Sequence, residues 1–158
     1  MTTETPSRRG GGWVVGQMLL LGAVAVVAPR CRSPRPAPLP LAGGIVLFLY
    51  AAWTGLGGVR SLGRNLTPLP APREGGELVT GGMFARVRHP LYASVMAMGF
   101  GWALLWGSRL ALGPATALAL YLHAKALHEE RLLRNRFPEY PAYSARVPRY
   151  LPRLLRWS

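Results

Sequence analysis

Four apolar blocks constrain this chain more than any other feature: Trp13 to Ala28, Leu39 to Val59, Leu91 to Gly107 and Leu110 to Leu127. None contains an acidic residue, and only Arg109 and Lys125 put a charge between or inside the later pair. A spanning helix needs roughly 20 apolar residues, with about 17 as the lower end. Blocks two to four meet that length and the first is marginal. A helix on a soluble core would carry a polar stripe with a 3.6-residue period, whereas these blocks are apolar on all sides. The expectation is an all-α integral membrane protein with about four transmembrane helices, the last two forming a C-terminal helical hairpin. Residues 1–158 then form a single membrane domain, with two N-terminal helices in 1–59 and a core in 60–158.

The formal charge of +13 invites a nucleic-acid reading, but no basic run is dense enough to track phosphates, and the aromatics lie mostly in or beside apolar blocks. The charges read instead as membrane flanks. With four spans, both termini share a side with the Arg60 to Arg88 loop. Of the nineteen Lys and Arg residues, all but Arg30, Arg32, Arg35 and Arg109 then fall on that side. The positive-inside rule makes it the cytoplasm, across a bacterial-type inner membrane. Ser7-Arg8-Arg9 ahead of an apolar stretch has the outline of a signal peptide. Pro29-Arg30-Cys31-Arg32 is a poor cleavage region, which favours a retained first helix. Cys31 is the only cysteine, so no intramolecular disulfide or cysteine metal site can form.

Ser33-Pro34-Arg35-Pro36-Ala37-Pro38 reads as a stiff connector. The Arg60 to Arg88 loop carries Pro68, Pro70 and Pro72, then Gly75, Gly76, Gly81 and Gly82, which preclude a long helix. Leu78-Val79 and Met83-Phe84 give it apolar anchors and predict order against the membrane. At Arg88-His89-Pro90-Leu91-Tyr92 the loop meets an apolar block. Pro90 disfavours the α conformation at His89 and suits the first helical position, so a helix is predicted to start there. Its unpaired N–H groups, with Arg86 and Arg88 nearby, suit a carboxylate or phosphate. Read alone, the simpler account is favoured, in which His89 merely caps a helix while Tyr92 anchors it at the interface.

Gly113-Pro114 is predicted to start a helix running to about Arg136, with a polar tail beyond it. Tyr121, Lys125, Glu129 and Leu132 fall on one face. Glu129 and Glu130 lie about 100° apart on such a helix, so they should not both point at one ligand. Glu130 is expected to pair outward with Arg134, leaving Glu129 inward on the same membrane face as His89.

With these residues in hand, Gly82-Met83-Phe84-Ala85-Arg86-Val87-Arg88-His89-Pro90-Leu91-Tyr92, Glu129-Glu130, Phe137-Pro138-Glu139-Tyr140 and Arg146-Val147-Pro148 together resemble the isoprenylcysteine carboxyl methyltransferase family and related phospholipid methyltransferases. Asn65-Leu66-Thr67-Pro68 and Leu78-Val79-Thr80-Gly81 add to the likeness, which covers about Gly63 to Pro152. The resemblance implies a membrane methyltransferase that uses S-adenosyl-L-methionine, its cofactor site formed by the C-terminal helical hairpin. Leu78, Val79, Phe84, His89, Pro90, Tyr92, Glu129 and Glu130 would bind the cofactor. His89, Tyr92 and Glu129 would act by positioning, with no covalent intermediate and no metal. Lys125 sits where the prenylcysteine branch has a substrate-binding arginine, although a lysine there can equally snorkel to the interface. The partners implied are membrane lipids and a lipophilic methyl acceptor, with no nucleic acid.

The acceptor implied is closest to a prenylcysteine-type carboxylate, with a phospholipid or other small lipid as the alternative. Ser94 stands where the family commonly has a small glycine, and Phe84 lacks the hydroxyl often found there. These departures bear on the substrate more than on the cofactor. A non-catalytic membrane scaffold or transporter component would explain the charge and hydropathy, though not His89, Tyr92 and Glu129 together.

Overall fold

The computed structural model describes residues 11–34, 37–66 and 75–153. The Ser7-Arg8-Arg9 leader, Arg35-Pro36 of the connector, and Thr67, Pro68, Pro70 and Pro72 of the long loop lie outside the described residues. Five α-helices and no strands are present among those described: α1 (Gly11–Arg30), α2 (Pro38–Leu62), α3 (Pro90–Leu105), α4 (Leu112–Arg136) and α5 (Tyr140–Arg146).

Two of these, α1 and α2, are long and apolar enough to cross a membrane. Only 11% of the apolar window of α1 and 17% of that of α2 is buried within the protein. Val15, Leu19, Leu39, Val46, Leu49 and Leu56 stand exposed along them. Apolar surface on this scale is buried in any soluble core helix, and here it faces outward. The count of four spans is therefore met by two helices on length and composition. The first block, marginal by sequence, forms a full 20-residue helix. The third forms a 16-residue helix of about 24 Å, short of the roughly 30 Å hydrocarbon core. It ends where Gly107 takes a left-handed φ of 60°, a conformation open to glycine without steric cost.

The helices meet through small residues. Helix α2 packs most extensively on α3, and α1 lies against α4 and α3. At the α2–α3 crossing, a Cβ on Gly44 would stand 3.0 Å from the Gly101 carbonyl oxygen, and one on Gly101 would stand 3.1 Å from that of Gly44. Bare backbone at both positions lets the helices approach this closely. Farther along, the Ser94 hydroxyl donates to the Ala51 carbonyl at 2.7 Å. Helices α3 and α4 run antiparallel, with Gly99 against Ala115 and Leu118 at one level and Tyr92 against Glu129 at another. Leu118 and Leu122 of α4 and Val24 of α1 form the buried core between these elements.

The segment after α4, expected to be a polar tail, folds back on the helices. Helix α5 buries Tyr140 and Tyr143 in a cluster that Leu78, Leu133 and Phe137 complete. The chain then crosses the start of α3, where the backbone N–H groups of Arg88 and His89 donate to the carbonyls of Pro148 and Arg149 at 2.9 and 3.0 Å. The loop before α3 is anchored as expected, but on protein. Met83 is buried against α2, and its backbone N–H donates to the Ser61 hydroxyl at 3.0 Å. Gly82, with φ 58°, makes the turn; a Cβ there would lie 2.4 Å from that hydroxyl.

Candidate active site at the start of α3

Pro90 occupies the first position of α3, and His89 precedes it with φ −123° and ψ 64°, the non-helical geometry that a following proline imposes. This turns the His89 ring onto that of Tyr92, one turn along: the two stack with centroids 5.4 Å apart and planes 6° from parallel. The antiparallel α4 delivers both glutamates to this pair. The Tyr92 hydroxyl donates to Glu129 Oε2 at 2.8 Å. His89 Nε2 lies 3.1 Å from Glu130 Oε1, and Nδ1 lies 3.8 Å from Glu129 Oε2.

The two carboxylates differ in kind, and the outward pairing expected of Glu130 is a minor part of its environment. Arg134 stands 4.0 Å away, whereas the Glu130 side chain is 3% exposed and faces inward. Arg88 Nη2 reaches Oε1 at 3.1 Å, and Arg149 grips both oxygens, Nε to Oε1 at 2.8 Å and Nη2 to Oε2 at 3.0 Å. Past the apolar stretch of α4, burial opposes ionisation of Glu130. Hydrogen bonds from His89 and Arg149, with the charges of His89 and Arg88, outweigh it and hold the carboxyl well below the usual range. Arg88, read from sequence as a possible anion receptor, is also bound to the carbonyls of Ser144 and Val147. The Glu129 side chain keeps 27% of its surface exposed.

Lys125, one turn before Glu129, is 2% exposed. Its ammonium lies 5.3 Å from the centroid of the Tyr92 ring and donates to Gln17 Oε1 of α1 at 3.0 Å. The face predicted for α4 thus holds, with Tyr121, Lys125 and Glu129 each engaged toward α1 or α3. A cavity of about 460 Å³ opens between α1 and α2, lined by Gln17, Met18, Val59, Leu91, Tyr92 and Lys125 among others.

The structure therefore brings together His89, Tyr92, Lys125, Glu129 and Glu130. Pro90 is buried beside them against Gly58 of α2. Leu78 belongs to the α5 cluster, Phe84 is joined to it by its carbonyl accepting from the Tyr143 hydroxyl at 2.7 Å, and Val79 is partly buried. Three participants were not singled out by sequence: Arg149, Gln17, and Tyr150, whose hydroxyl lies 2.9 Å from His123 Nδ1. The available signal for Gln17 was its isolation as a polar side chain inside an apolar block. Among the described residues no group of three or more His, Cys, Asp or Glu is placed to hold a metal.

Two long apolar helices with outward-facing surface, beside a buried polar cluster at the start of α3, fit the class of helical membrane proteins. Its sequence matches the phospholipid methyltransferase family over residues 39–140, nearly two thirds of the chain, and the chain belongs to that family. It is also 40% identical over 84 residues to the nickel-cobalt-cadmium resistance protein NccN of Alcaligenes xylosoxydans xylosoxydans, and 37% identical over 84 residues to the cobalt-zinc-cadmium resistance protein CzcN of Cupriavidus metallidurans. Each alignment takes in 52% of this chain, and 39% and 38% of those proteins, so the chain spans well under half the length of these relatives.

Proposed function

We propose that the protein transfers a methyl group from S-adenosyl-L-methionine to a lipophilic acceptor, most like a prenylcysteine-type carboxylate, with a phospholipid or other small lipid as the alternative. The observation that carries this reading is the double placement of Tyr92. Its hydroxyl bonds Glu129 in the polar cluster, and the same residue lines the apolar groove between α1 and α2. A water-soluble cofactor and a membrane-soluble acceptor need two compartments that touch at one point, and Tyr92 stands between them.

The donor set fits the cofactor. A partly exposed carboxylate such as that of Glu129 can accept from ribose hydroxyls or pair with an ammonium. His89 and Tyr92 offer a stacked aromatic wall, and Leu78, Val79 and Phe84 supply apolar surface on the loop side. Both oxygens of Glu130 are held by Arg149, so within this reading Glu130 braces His89 while Glu129 meets the ligand. When bound, S-adenosyl-L-methionine supplies an electrophilic methyl group carried on a sulfonium. The chain's own residues orient the two reactants in line, and positioning of that kind can account for much of a rate enhancement. An acceptor carboxylate is already ionised at neutral pH, so no side chain need remove a proton; an amine or hydroxyl acceptor would require a general base. The reading sets the active site and both termini on the cytoplasmic side of a bacterial-type inner membrane, following the basic flanks.

The test is methyl transfer. Protein reconstituted with lipid extract and methyl-tritiated cofactor is expected to label an organic-soluble product, and His89→Ala and Glu129→Gln are expected to reduce that label at least tenfold while still inserting. Equal labelling by wild type and both variants would remove the site from the reaction.

A further inference from the structure

Helix α1 lies before the stretch that matches the family, yet it contributes to the groove. Its placement is held by several contacts. Trp13 packs on Tyr121 and His128 of α4, and the Tyr121 hydroxyl donates to the Gly12 carbonyl at 3.1 Å. A Cβ on Gly16 would meet that hydroxyl at 2.3 Å, so only a bare position lets α1 come this close. The next residue, Gln17, is thereby carried against Lys125, with its Oε1 at 3.0 Å from the ammonium. Both side chains line the groove beside Tyr92.

The chemistry of this pair is directional. A carboxamide accepts from Lys125 without cancelling its charge, and its own NH2 group brings two more donors to the same spot. A positive charge and amide donors in the lining of an otherwise apolar cavity complement an oxyanion on a hydrocarbon chain. We propose that Gln17 and Lys125 form a head-group clamp, through which α1 selects acceptors whose lipophilic tail ends in a carboxylate or a phosphate. This rests on reading the groove as the acceptor site.

The experiment measures binding of three radiolabelled probes of equal tail length, myristate, tetradecyl phosphate and tetradecanol, to the full chain in a neutral maltoside detergent. Wild type is expected to bind at least one oxyanion about tenfold more tightly than the alcohol, a difference of about 1.4 kcal/mol. Preference for myristate assigns a carboxylate acceptor, and preference for tetradecyl phosphate a phosphate head group. Gln17→Glu separates the clamp from mere packing. A glutamate pairs with Lys125 at least as well, so a purely structural Gln17 would be served by it. The clamp, with its charge cancelled, is expected to lose the oxyanion preference at unchanged melting temperature. Gln17→Leu is expected to lose it as well, with cofactor affinity unaltered, which keeps the test decisive if one variant fails to fold. Alcohol bound as tightly as both acids, or wild-type preference retained in Gln17→Glu, overturns the proposal. If the oxyanion preference follows Gln17 while wild type binds no cofactor, the clamp stands and the methyltransferase reading falls.

Discussion

Replacing Glu130 with glutamine tests the division of labour between the two adjacent glutamates. The Glu130 side chain is 3% exposed and answers two guanidinium groups and an imidazole: Arg88 at 3.1 Å, Arg149 at 2.8 and 3.0 Å, and His89 at 3.1 Å. An amide of the same shape removes the negative charge and leaves these groups facing one another. Removing one partner of a buried pair costs about 3–5 kcal/mol. Arg149 is 33% exposed and so partly screened by solvent, whereas Arg88 is only 10% exposed, which sets the expectation near the lower end, about 3 kcal/mol. For a chain of this size each kcal/mol moves the melting temperature by about 2–4 °C, so Glu130→Gln is expected to melt about 6–12 °C below wild type. Glu129→Gln, at a partly exposed side chain bonded to the Tyr92 hydroxyl, is expected to cost only about 0.5–1.5 kcal/mol. The assay is thermal unfolding of both variants and wild type in one detergent, followed by intrinsic tryptophan fluorescence. A Glu130→Gln shift below about 3 °C, or a larger loss in Glu129→Gln, would refute the assignment of Glu130 as the brace.

The same cluster predicts an acid limb. Because the Glu130 carboxyl is held below its ordinary value of 4.5, its stabilisation is fully present above that pH and is lost as pH falls through the depressed folded value. Melting temperatures measured from pH 6 downward should therefore fall more steeply for wild type than for Glu130→Gln. Gly101→Val is expected to destabilise by about 1–3 kcal/mol, since its Cβ would stand 3.1 Å from the Gly44 carbonyl and 2.8 Å from the Phe48 ring; a denaturant titration in detergent checks this. Tyr92→Phe removes the hydroxyl bound to Glu129, and cofactor affinity is expected to weaken about three- to tenfold with the fold intact, measured by calorimetry.

Much of this arrangement is legible in the sequence because the signals are local. Pro90 fixes a helix start, and three- and four-residue spacing puts Tyr121, Lys125 and Glu129 on one face. The partition between Glu129 and Glu130 was not legible. Two side chains about 100° apart on a helix diverge, but an imidazole presents nitrogens in two directions, and His89 spans the gap with Nε2 toward Glu130 and Nδ1 toward Glu129. The C-terminal segment was read as polar because arginines and prolines interrupt it and leave no long apolar block. Its fold-back depends on long-range backbone bonds to Arg88 and His89 and on the burial of Tyr140 and Tyr143, which no periodicity encodes. Hydropathy also could not place the end of the third block, since an apolar run gives no warning that Gly107 will close its helix at 16 residues.

The central claim, a cofactor site built on His89, Tyr92 and Glu129, is tested most directly by calorimetric binding of S-adenosyl-L-methionine to the detergent-purified protein, with Glu129→Gln alongside. Saturable binding by wild type, weakened at least tenfold in a variant that melts near the wild-type temperature, is the predicted result. No binding by folded wild type, with membrane lipid restored, or equal affinity in the variant, would contradict it.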